Sequence, residues 1–366
     1  MTKEDNLSLV IHKKGDLRLE QTPIPTELGP DEVLCKTHSC GICGTDIHYW
    51  MHGYMSSFVV TDPLILGHEV SALVDKVGSN VKHLKPGDKV AIEPSLPCRM
   101  CHNCKTGMYN HCPLSNKQVK GSPNFHGMLT RKFTHPADFC FKLPDNVTYE
   151  EGAMVEPLAV AVHAVRRVNL TLGQTVLVCG AGTMGMMCLA AAKAHGASKV
   201  IMTDINQFRL NVAKEMGADE TILINLKTFS VEDVVAQVKQ SIGNNGEDGG
   251  QGGVDITFEC TGNEGSTKVA IYSTNNGGKV ALVGLGPLEV KAPLVNASLR
   301  EVDIIGVCRF RNCYPMAIYL LETGKVNLKP LVTHKYRLEQ SLDAFKKMIE
   351  PDNNAIKVLI QCNQDF

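Results

Sequence analysis

The stretch "VLVCGAGTMG" (residues 176–185) decides the fold of this 366-residue chain. Its apolar start has the length of a buried strand, and Gly180, Gly182 and Gly185 follow in G-x-G-x-x-G spacing where a helix-compatible segment opens. The first glycine permits a tight turn, the second lets the backbone approach a pyrophosphate, and the third lets the helix pack closely on the strand. The stretch therefore predicts a dinucleotide-binding turn, with the helix N-terminus facing the phosphates.

A carboxylate at the end of the next predicted strand indicates which dinucleotide binds. Asp204 lies nineteen residues after Gly185, and its carboxylate can accept both adenosine-ribose hydroxyls while repelling the 2′-phosphate of NADP. We therefore expect NAD as the cofactor. Two interpretations stay open: Asp204 can instead cap the helix that begins at "TDINQ", and Arg209, which can reach the adenine or ribose, can equally be a solvated helix residue.

Strand-like apolar runs recur along the second half of the chain, with helix-compatible segments between the first five of them. Six such runs predict an α/β fold, a doubly wound parallel sheet of the Rossmann type. A glycine-rich stretch (residues 243–253) precedes a strand instead of following one, so we interpret it as a solvated loop. The six runs are residues 175–180, 199–204, 220–225, 254–260, 279–285 and 303–309.

The first half of the chain has a different pattern. Between residues 30 and 150, short runs with Val, Ile and Thr are broken by Gly, Pro and Asp, which favours a strand-rich, barrel-like domain. A chain of this length with 43% hydrophobic residues has room for two domains. We predict a first domain over residues 1–155, completed by residues from about 300 to 366, and a dinucleotide-binding domain over residues 156–299.

Composition and charge restrict the class of partner. The 37 basic and 38 acidic residues nearly cancel, which argues against a nucleic-acid-binding protein or a polybasic membrane anchor. The start "MTKEDNLSLVIHKK" carries charges where a signal peptide needs an apolar core, and no apolar run has the length of a membrane span. We expect a cytoplasmic protein that binds a small molecule.

Four of the fourteen cysteines crowd into "PCRMCHNCKTGMYNHC" (residues 97–112). In a reducing compartment such a cluster is more typical of a metal site than of disulfides. The spacing lets four thiolates bind one tetrahedral zinc, and because such a site has no open position, we predict a structural role. A redox C-x2-C pair and an iron–sulfur cluster are the alternatives. The predicted ligands are Cys98, Cys101, Cys104 and Cys112.

Further metal-capable residues lie in "CGICGTDIH" (residues 40–48) and "LGHEV" (residues 66–70). Taken singly, each can be a buried thiol, a core histidine or a surface carboxylate. Together with "GDKV", the four-cysteine stretch, "VEPLAV" and "GAGTMG", they make the whole chain resemble the zinc-dependent medium-chain dehydrogenase/reductase family. Longer runs such as "FCFKLPDNVTYEEGAMVEPLAV" and "VNLKPLVTH" resemble its polyol branch. The resemblance implies a GroES-like β-rich barrel as the first domain and a homotetramer as the assembly.

The resemblance also implies a catalytic zinc held by Cys43, His68 and Glu69, with Glu156 holding the zinc water or the substrate. Adjacent residues on a regular strand point to opposite faces. His68 and Glu69 can therefore share one metal only where the backbone is irregular. The reversed assignment, in which Glu156 is the ligand, stays open.

The remaining site residues are implied by the family pattern. Zinc lowers the pKa of a substrate hydroxyl so that hydride can pass to the nicotinamide, and Thr45 and His48 are similar to the family's proton relay. The substrate contacts fall on Tyr49, Glu156, Arg309 and Phe310, the last in place of an expected tyrosine. Ordinary sheet-edge packing is the alternative for the further cofactor contacts, which are Met184, Val283, Gly284, Leu285, Val307, Cys308 and Arg309.

The activity that follows from the resemblance is an NAD-dependent polyol 2-dehydrogenase, which oxidises sorbitol, with xylitol or iditol as further candidates, to the 2-ketose. A threonine- or butanediol-type zinc alcohol dehydrogenase is the first alternative, because it would share the zinc ligands and differ around residues 49, 156 and 309. The second alternative is a crystallin-like structural protein that binds dinucleotide. Such a protein is expected to lose zinc ligands, which this chain keeps.

Overall fold

The computed structural model describes residues 5–55, 58–115, 117–243, 252–350 and 354–363. Most of the glycine-rich stretch that the sequence indicates as a loop, residues 244–251, lies outside these described residues. Across the described ranges, no helix is both long enough and apolar enough to cross a bilayer.

The strands and helices alternate in the second half of the chain, whereas the first half is mainly strand. The strands are β1 (Leu7–Lys13), β2 (Asp16–Gln21), β3 (Glu32–Gly41), β4 (Tyr54–Met55), β5 (Phe58–Val59), β6 (Leu64–Ile65), β7 (Glu69–Val77), β8 (Lys89–Ile92), β9 (Lys132–Pro136), β10 (Cys140–Lys142), β11 (Thr175–Cys179), β12 (Lys199–Asp204), β13 (Glu220–Leu223), β14 (Val254–Glu259), β15 (Thr274–Leu282), β16 (Asp303–Gly306), β17 (Val332–Arg337) and β18 (Lys357–Gln361). The α-helices are α1 (Gly44–His52), α2 (His102–Lys105), α3 (Tyr149–Ala153), α4 (Val155–Val168), α5 (Thr183–Ala194), α6 (Gln207–Glu215), α7 (Val231–Ser241), α8 (Glu264–Ser273), α9 (Leu294–Leu299), α10 (Tyr314–Glu322) and α11 (Ser341–Ile349).

One of two compact units comprises Met1–Glu156, Tyr314–Glu322 and Val332–Phe366. Its mixed sheet has the order β10-β8-β7-β3-β18-β17, with β9 also paired to β3, and a second sheet has the order β2-β1-β6. Strand β18 comes from the far end of the chain and pairs antiparallel with β3. Fully buried apolar side chains, among them Leu9 and Val33, form the core of this unit. The predicted β-rich domain is confirmed.

The other unit comprises Pro157–Cys313 and Thr323–Leu331. Its six strands form a parallel sheet in the order β13-β12-β11-β14-β15-β16, so the predicted doubly wound sheet is confirmed. The chain changes direction between β11 and β14, and such a switch point is where these sheets bind dinucleotides. Residues 300–313 and 323–331, which the sequence assigned to the segment completing the first domain, lie in this unit.

Several strand boundaries differ from the sequence prediction, and two of them have a clear local reason. Strand β15 begins at Thr274 rather than at residue 279, because Gly277, with a φ of +70°, interrupts the apolar pattern within the strand. Strand β16 ends at Gly306 rather than at residue 309. Arg309 has a φ of +50°, and such left-handed backbone cannot continue an extended strand.

Candidate functional site

Gly67 breaks the chain before β7 and thereby sets the position of two predicted zinc ligands. Its φ is +92°, and a Cβ on it would lie 2.8 Å from both the Cys40 Sγ and the Leu129 Cβ, so only glycine fits. His68 precedes β7 and Glu69 is its first residue. The backbone therefore has the irregularity that sharing one metal requires.

Cys43 joins these two residues from the start of α1. It is the N-cap of that helix, and its backbone N–H donates to the Oδ2 of Asp46 at 2.9 Å. The ligand atoms of Cys43, His68 and Glu69 all lie within 4.8 Å of one another. A thiol, an imidazole and a carboxylate are typical zinc donors, and three protein donors leave the open position that a catalytic site needs. These residues fit the zinc that the family resemblance implies.

Glu156 lies in the first turn of α4 and is not among the described ligand atoms that form this three-residue cluster. The geometry favours Glu69 over Glu156 as the direct ligand. The side chain of Glu156 is half-buried and, as a carboxylate, can accept hydrogen bonds from substrate hydroxyls.

Asp46 is a candidate site residue that the sequence did not predict. It is 1% exposed, and its Oδ1 lies 3.6 Å from the Nδ1 of His68. Burial by itself would lower the pKa of His68, but the nearby negative charges of Asp46 and Cys43 raise that pKa well above its ordinary value. A carboxylate behind a ligand histidine fixes the ring orientation and increases its basicity. The sequence feature that could have identified Asp46 is its position three residues after the N-cap Cys43, from which a side chain can accept from the N-cap N–H.

Lys357 is a second residue that was missed. Its Nζ lies 2.5 Å from the Glu69 Oε2 and 3.1 Å from the Ile42 carbonyl oxygen, and the side chains of Lys357 and Glu69 are 1% and 2% exposed. Burial would lower the pKa of Lys357, but the Glu69 carboxylate outweighs it and raises that pKa. With one Glu69 oxygen so engaged, the other remains for a metal. A charge inside the apolar run "AIKVLI" (residues 355–360) was the available signal.

The predicted proton-relay and substrate residues of the first unit share helix α1. Thr45 is half-buried in the first turn and Tyr49 is 5% exposed. The Nδ1 of His48 lies 2.7 Å from the Tyr54 carbonyl oxygen, and His48 is partly exposed. The helix therefore leads from the Cys43 thiol to an imidazole at the surface.

The four clustered cysteines converge as the sequence predicts, with their sulfur atoms within 4.8 Å of one another. The Cys101 and Cys104 Sγ atoms are 3.5 Å apart. Burial raises the pKa of the Cys112 thiol, but backbone N–H groups, that of Cys98 among them, outweigh it and lower this pKa to about 6. Four converging thiols, one of them readily ionised, fit a tetrahedral zinc.

The dinucleotide turn has the geometry that its glycines predict. Gly180 directly follows β11 and is buried, with a φ of +95°, and Gly182 is the N-cap of α5. A Cβ on Gly185 would lie 1.8 Å from the Gly180 carbonyl oxygen, so the helix packs against the turn as the motif requires. Met184 lies in the first turn of α5 and is partly exposed.

Asp204 ties this turn to the next loop. Its Oδ2 accepts from the Ala181 N–H at 2.6 Å and its Oδ1 from the Asn206 N–H at 2.8 Å. The cap of α6 is Asn206, whose side chain accepts from the Arg209 N–H, so the interpretation of Asp204 as that cap is wrong. The Nε of Arg209 is buried with no hydrogen-bond partner in the described chain, which favours a ligand contact over a solvated helix residue.

Glu259, at the end of β14, is a third residue that was missed. It is 1% exposed, and its carboxylate accepts from the backbone N–H groups of Thr261 and Gly262 at 2.9 Å. Its own carbonyl accepts from the Val283 and Gly284 N–H groups, each at 2.8 Å. Glu259 therefore holds together the loops that follow β14 and β15, at the sheet edge where dinucleotides bind.

The other predicted contacts of this unit follow the carboxyl ends of two strands. After β15, Val283 is buried, Gly284 is half-buried and Leu285 is exposed. The segment after β16 contains Arg309, half-buried with a left-handed φ of +50°. Of its neighbours, Phe310 is buried, Val307 is half-buried and Cys308 is exposed.

Comparisons with known proteins agree with this geometry. Residues 29–145 match the alcohol dehydrogenase GroES-like domain and residues 183–323 match the zinc-binding dehydrogenase family. The chain is 50% identical to the sorbitol dehydrogenase of Bos taurus over 361 residues, 99% of this chain and 97% of that protein.

Two solved structures show the same fold. One is a zinc-binding dehydrogenase from Sinorhizobium meliloti bound to NADP, with a TM-score of 0.87 and 26% identity over 98% of this chain and 100% of that one. The other is 2R,3R-butanediol dehydrogenase from Bacillus subtilis, with a TM-score of 0.85 and 29% identity over 98% and 100% of the two chains. With a zinc-type donor cluster in one unit and a dinucleotide turn in the other, the chain belongs to the zinc-dependent medium-chain dehydrogenase/reductase family.

Proposed function

We propose that this oxidoreductase is an NAD-dependent polyol 2-dehydrogenase that converts sorbitol to the 2-ketose. The observation that carries the proposal is the 50% identity to a sorbitol dehydrogenase over 99% of the chain, together with the cluster of Cys43, His68 and Glu69. Polar side chains at three of the four predicted substrate positions, Tyr49, Glu156 and Arg309, support a polyol, because its hydroxyls along the chain need hydrogen-bond partners that an apolar pocket would not supply.

When bound, zinc supplies a Lewis acid for the substrate hydroxyl and NAD accepts the hydride. Cys43, His68 and Glu69 hold the metal, while Asp46 orients His68 and Lys357 orients Glu69. The Glu156 carboxylate accepts hydrogen bonds from the remaining hydroxyls and the Tyr49 hydroxyl donates to them, which fixes the reacting carbon.

The proton leaves along α1 in this proposal. The Thr45 hydroxyl accepts it from the substrate and passes it toward His48. Because the Tyr54 carbonyl can only accept, the Nδ1 of His48 carries a hydrogen and its Nε2 has the lone pair that takes up a proton. His48 is partly exposed, so it can return that proton to water.

NAD is preferred to NADP because of Asp204. Asp204 is 8% exposed, and its carboxylate would meet the 2′-phosphate of NADP with like charge, whereas ribose hydroxyls can donate to it.

Glu69 is the direct zinc ligand in this proposal, so Glu69→Gln should lower the zinc content by one equivalent per chain, whereas Glu156→Gln should keep the metal and lose turnover. Metal analysis of both variants checks the assignment, and the opposite result would reverse it.

The four-cysteine lobe (residues 98–112) holds a structural zinc in the proposed holoenzyme. Cys43→Ala should remove one zinc and abolish turnover in a folded protein. Cys101→Ala should remove the other zinc and make the lobe susceptible to proteolysis, with activity lost only through folding or assembly. Zinc analysis with limited proteolysis checks both variants. Full folding of Cys101→Ala with no catalysis would contradict this division of roles.

A homotetramer in the cytoplasm remains the proposed form of the enzyme. Exposed apolar side chains between residues 285 and 299 support an association of copies, because monomers rarely leave such a group uncovered. The most exposed are Leu285, Leu288, Val295 and Leu299.

Steady-state assays with NAD test the activity directly. We expect turnover of sorbitol and xylitol to exceed that of threonine and 2,3-butanediol, and NAD to be used in preference to NADP. Negligible turnover of both polyols would overturn the proposal, and a preference for butanediol or threonine would identify the sibling activity.

A further inference from the structure

Helix α1 carries two histidines in its C-terminal half whose rings lie close together. His48 and His52 are four residues apart, and residues with this spacing lie on one face of a helix. Their ring centroids are 4.4 Å apart with an interplanar angle of 51°. His48 is partly exposed and His52 is exposed, so the pair is open to ions from solvent.

The hydrogen bond of His48 prepares its ring for a metal. Its Nδ1 donates to the Tyr54 carbonyl at 2.7 Å, which leaves the lone pair on Nε2. Ligand histidines in metal sites commonly donate their other ring N–H to a backbone carbonyl in this way. The Tyr54 ring adds an edge-on contact to His48 at a centroid distance of 5.8 Å, which restricts the imidazole further.

We propose that His48 and His52 bind a divalent cation of borderline softness, such as Zn²⁺ or Ni²⁺, and that binding inhibits the enzyme. Imidazole suits these ions, and two protein donors with water completing the coordination make a reversible site. The inhibitory part rests on the proposed function, in which the His48 Nε2 releases the substrate proton, because a metal on that atom would block the release.

Nickel binding to the zinc-loaded enzyme tests the site by itself. Equilibrium dialysis should show one more Ni²⁺ per chain in the wild type than in His52→Gln or His48→Gln. His195→Gln is the matched control. The His195 Nδ1 also lies 2.8 Å from a carbonyl oxygen, that of Ala191, but the positions four residues before and after His195 are Ala191 and Lys199, so neither offers a second imidazole. This control should bind nickel as the wild type does. Unchanged nickel binding in His52→Gln would overturn the site.

Turnover with added Ni²⁺ tests the inhibition. We expect a saturable loss in the wild type and in His195→Gln, with half-inhibition at the dissociation constant for nickel. His52→Gln should keep its full turnover at every nickel concentration. Bound nickel without inhibition would overturn the inhibitory role. Equal inhibition of the wild type and His52→Gln, accompanied by loss of resident zinc, would also overturn it, because nickel would then act by displacing the zinc. Dialysis does not depend on catalysis, so failure of the proposed activity would be recognised separately.

Discussion

Lys357 places a positive charge in the core beside the candidate zinc ligands, and removal of this charge should lower the free energy of unfolding. Lys357→Met leaves the Glu69 carboxylate buried without its partner, and breaking such a pair typically costs about 3–5 kcal/mol. We expect a loss of this size in the free energy of unfolding of the metal-free protein. The single tryptophan, Trp50, lies in α1 of the same unit, so its fluorescence in urea reports the unfolding.

An exposed pair in the same unit is the control. Lys335 lies 3.1 Å from Glu150, but its side chain is 50% exposed, and such surface pairs contribute about 0–1 kcal/mol. Lys335→Met should therefore leave the urea midpoint nearly unchanged. Equal losses in the two variants would show that the apolar substitution, rather than the buried charge, determines the effect.

Glu93 should make stability depend on pH. Glu93 is 1% exposed and accepts from the Tyr109 hydroxyl at 2.7 Å, and burial raises its pKa from 4.5 to about 8. Between these two values the folded chain keeps a proton that the unfolded chain has lost. The contribution of Glu93 therefore makes stability fall as pH rises, by up to about 1.4 kcal/mol per pH unit.

The variant Glu93→Gln should abolish this slope, because the amide does not titrate and its oxygen can still accept from Tyr109. Urea midpoints of the wild type and the variant, followed from about pH 5 to pH 8, should diverge as pH rises, with the wild type losing more. Parallel curves would mean that Glu93 is ionised in the folded protein.

At the scale of elements, two glycines of one motif should behave differently. A methyl group on Gly185 would clash with the Gly180 carbonyl at 1.8 Å, whereas one on Gly182 would meet nothing within 4 Å. Gly185→Ala should therefore lower stability and abolish NADH binding together. Gly182→Ala should stay within about 0.5 kcal/mol of the wild type and weaken NADH binding, since its methyl group occupies the approach to the pyrophosphate.

Fluorescence titration with NADH and urea unfolding followed by circular dichroism measure the two effects, and the zinc content should be normal in both variants. Wild-type NADH affinity in Gly182→Ala would contradict a pyrophosphate lying over this turn. Equal destabilisation by both substitutions would contradict the difference in packing.

The elements that the sequence predicted correctly are those in which one strong pattern dominates. Strands β11, β12 and β14 of the parallel sheet are largely buried and nearly continuous in apolar residues, so periodicity finds them. The predicted strand boundaries were wrong where the φ angle of a single residue affects the strand, as at Gly277 in β15 and Arg309 after β16. A left-handed φ at an arginine leaves no mark in hydrophobic periodicity.

At the scale of the molecule, the candidate site joins residues that are distant in the chain, and this limits sequence reasoning. Cys43, His68 and Glu69 were named through family motifs, whereas Asp46 and Lys357 act through contacts that only the folded chain shows. Lys357 lies 288 residues after its partner Glu69, and no local pattern pairs them. Sequence therefore predicts the donors, and the fold supplies the residues that orient them.

Assembly is the last property that belongs to the whole molecule, and α9 provides its test. Val295 and Leu299 are 74% and 82% exposed and one helical turn apart, so the double variant Val295→Glu and Leu299→Glu places two charges in any interface formed there. We expect light scattering to show a smaller assembly than for the wild type. Leu172→Glu is the control, because Leu172 is 85% exposed in the same unit but outside residues 285–299, and its mass should not change. An unchanged mass in the double variant would exclude this face from the interface, and a wild-type chain that is monomeric would contradict the proposed tetramer.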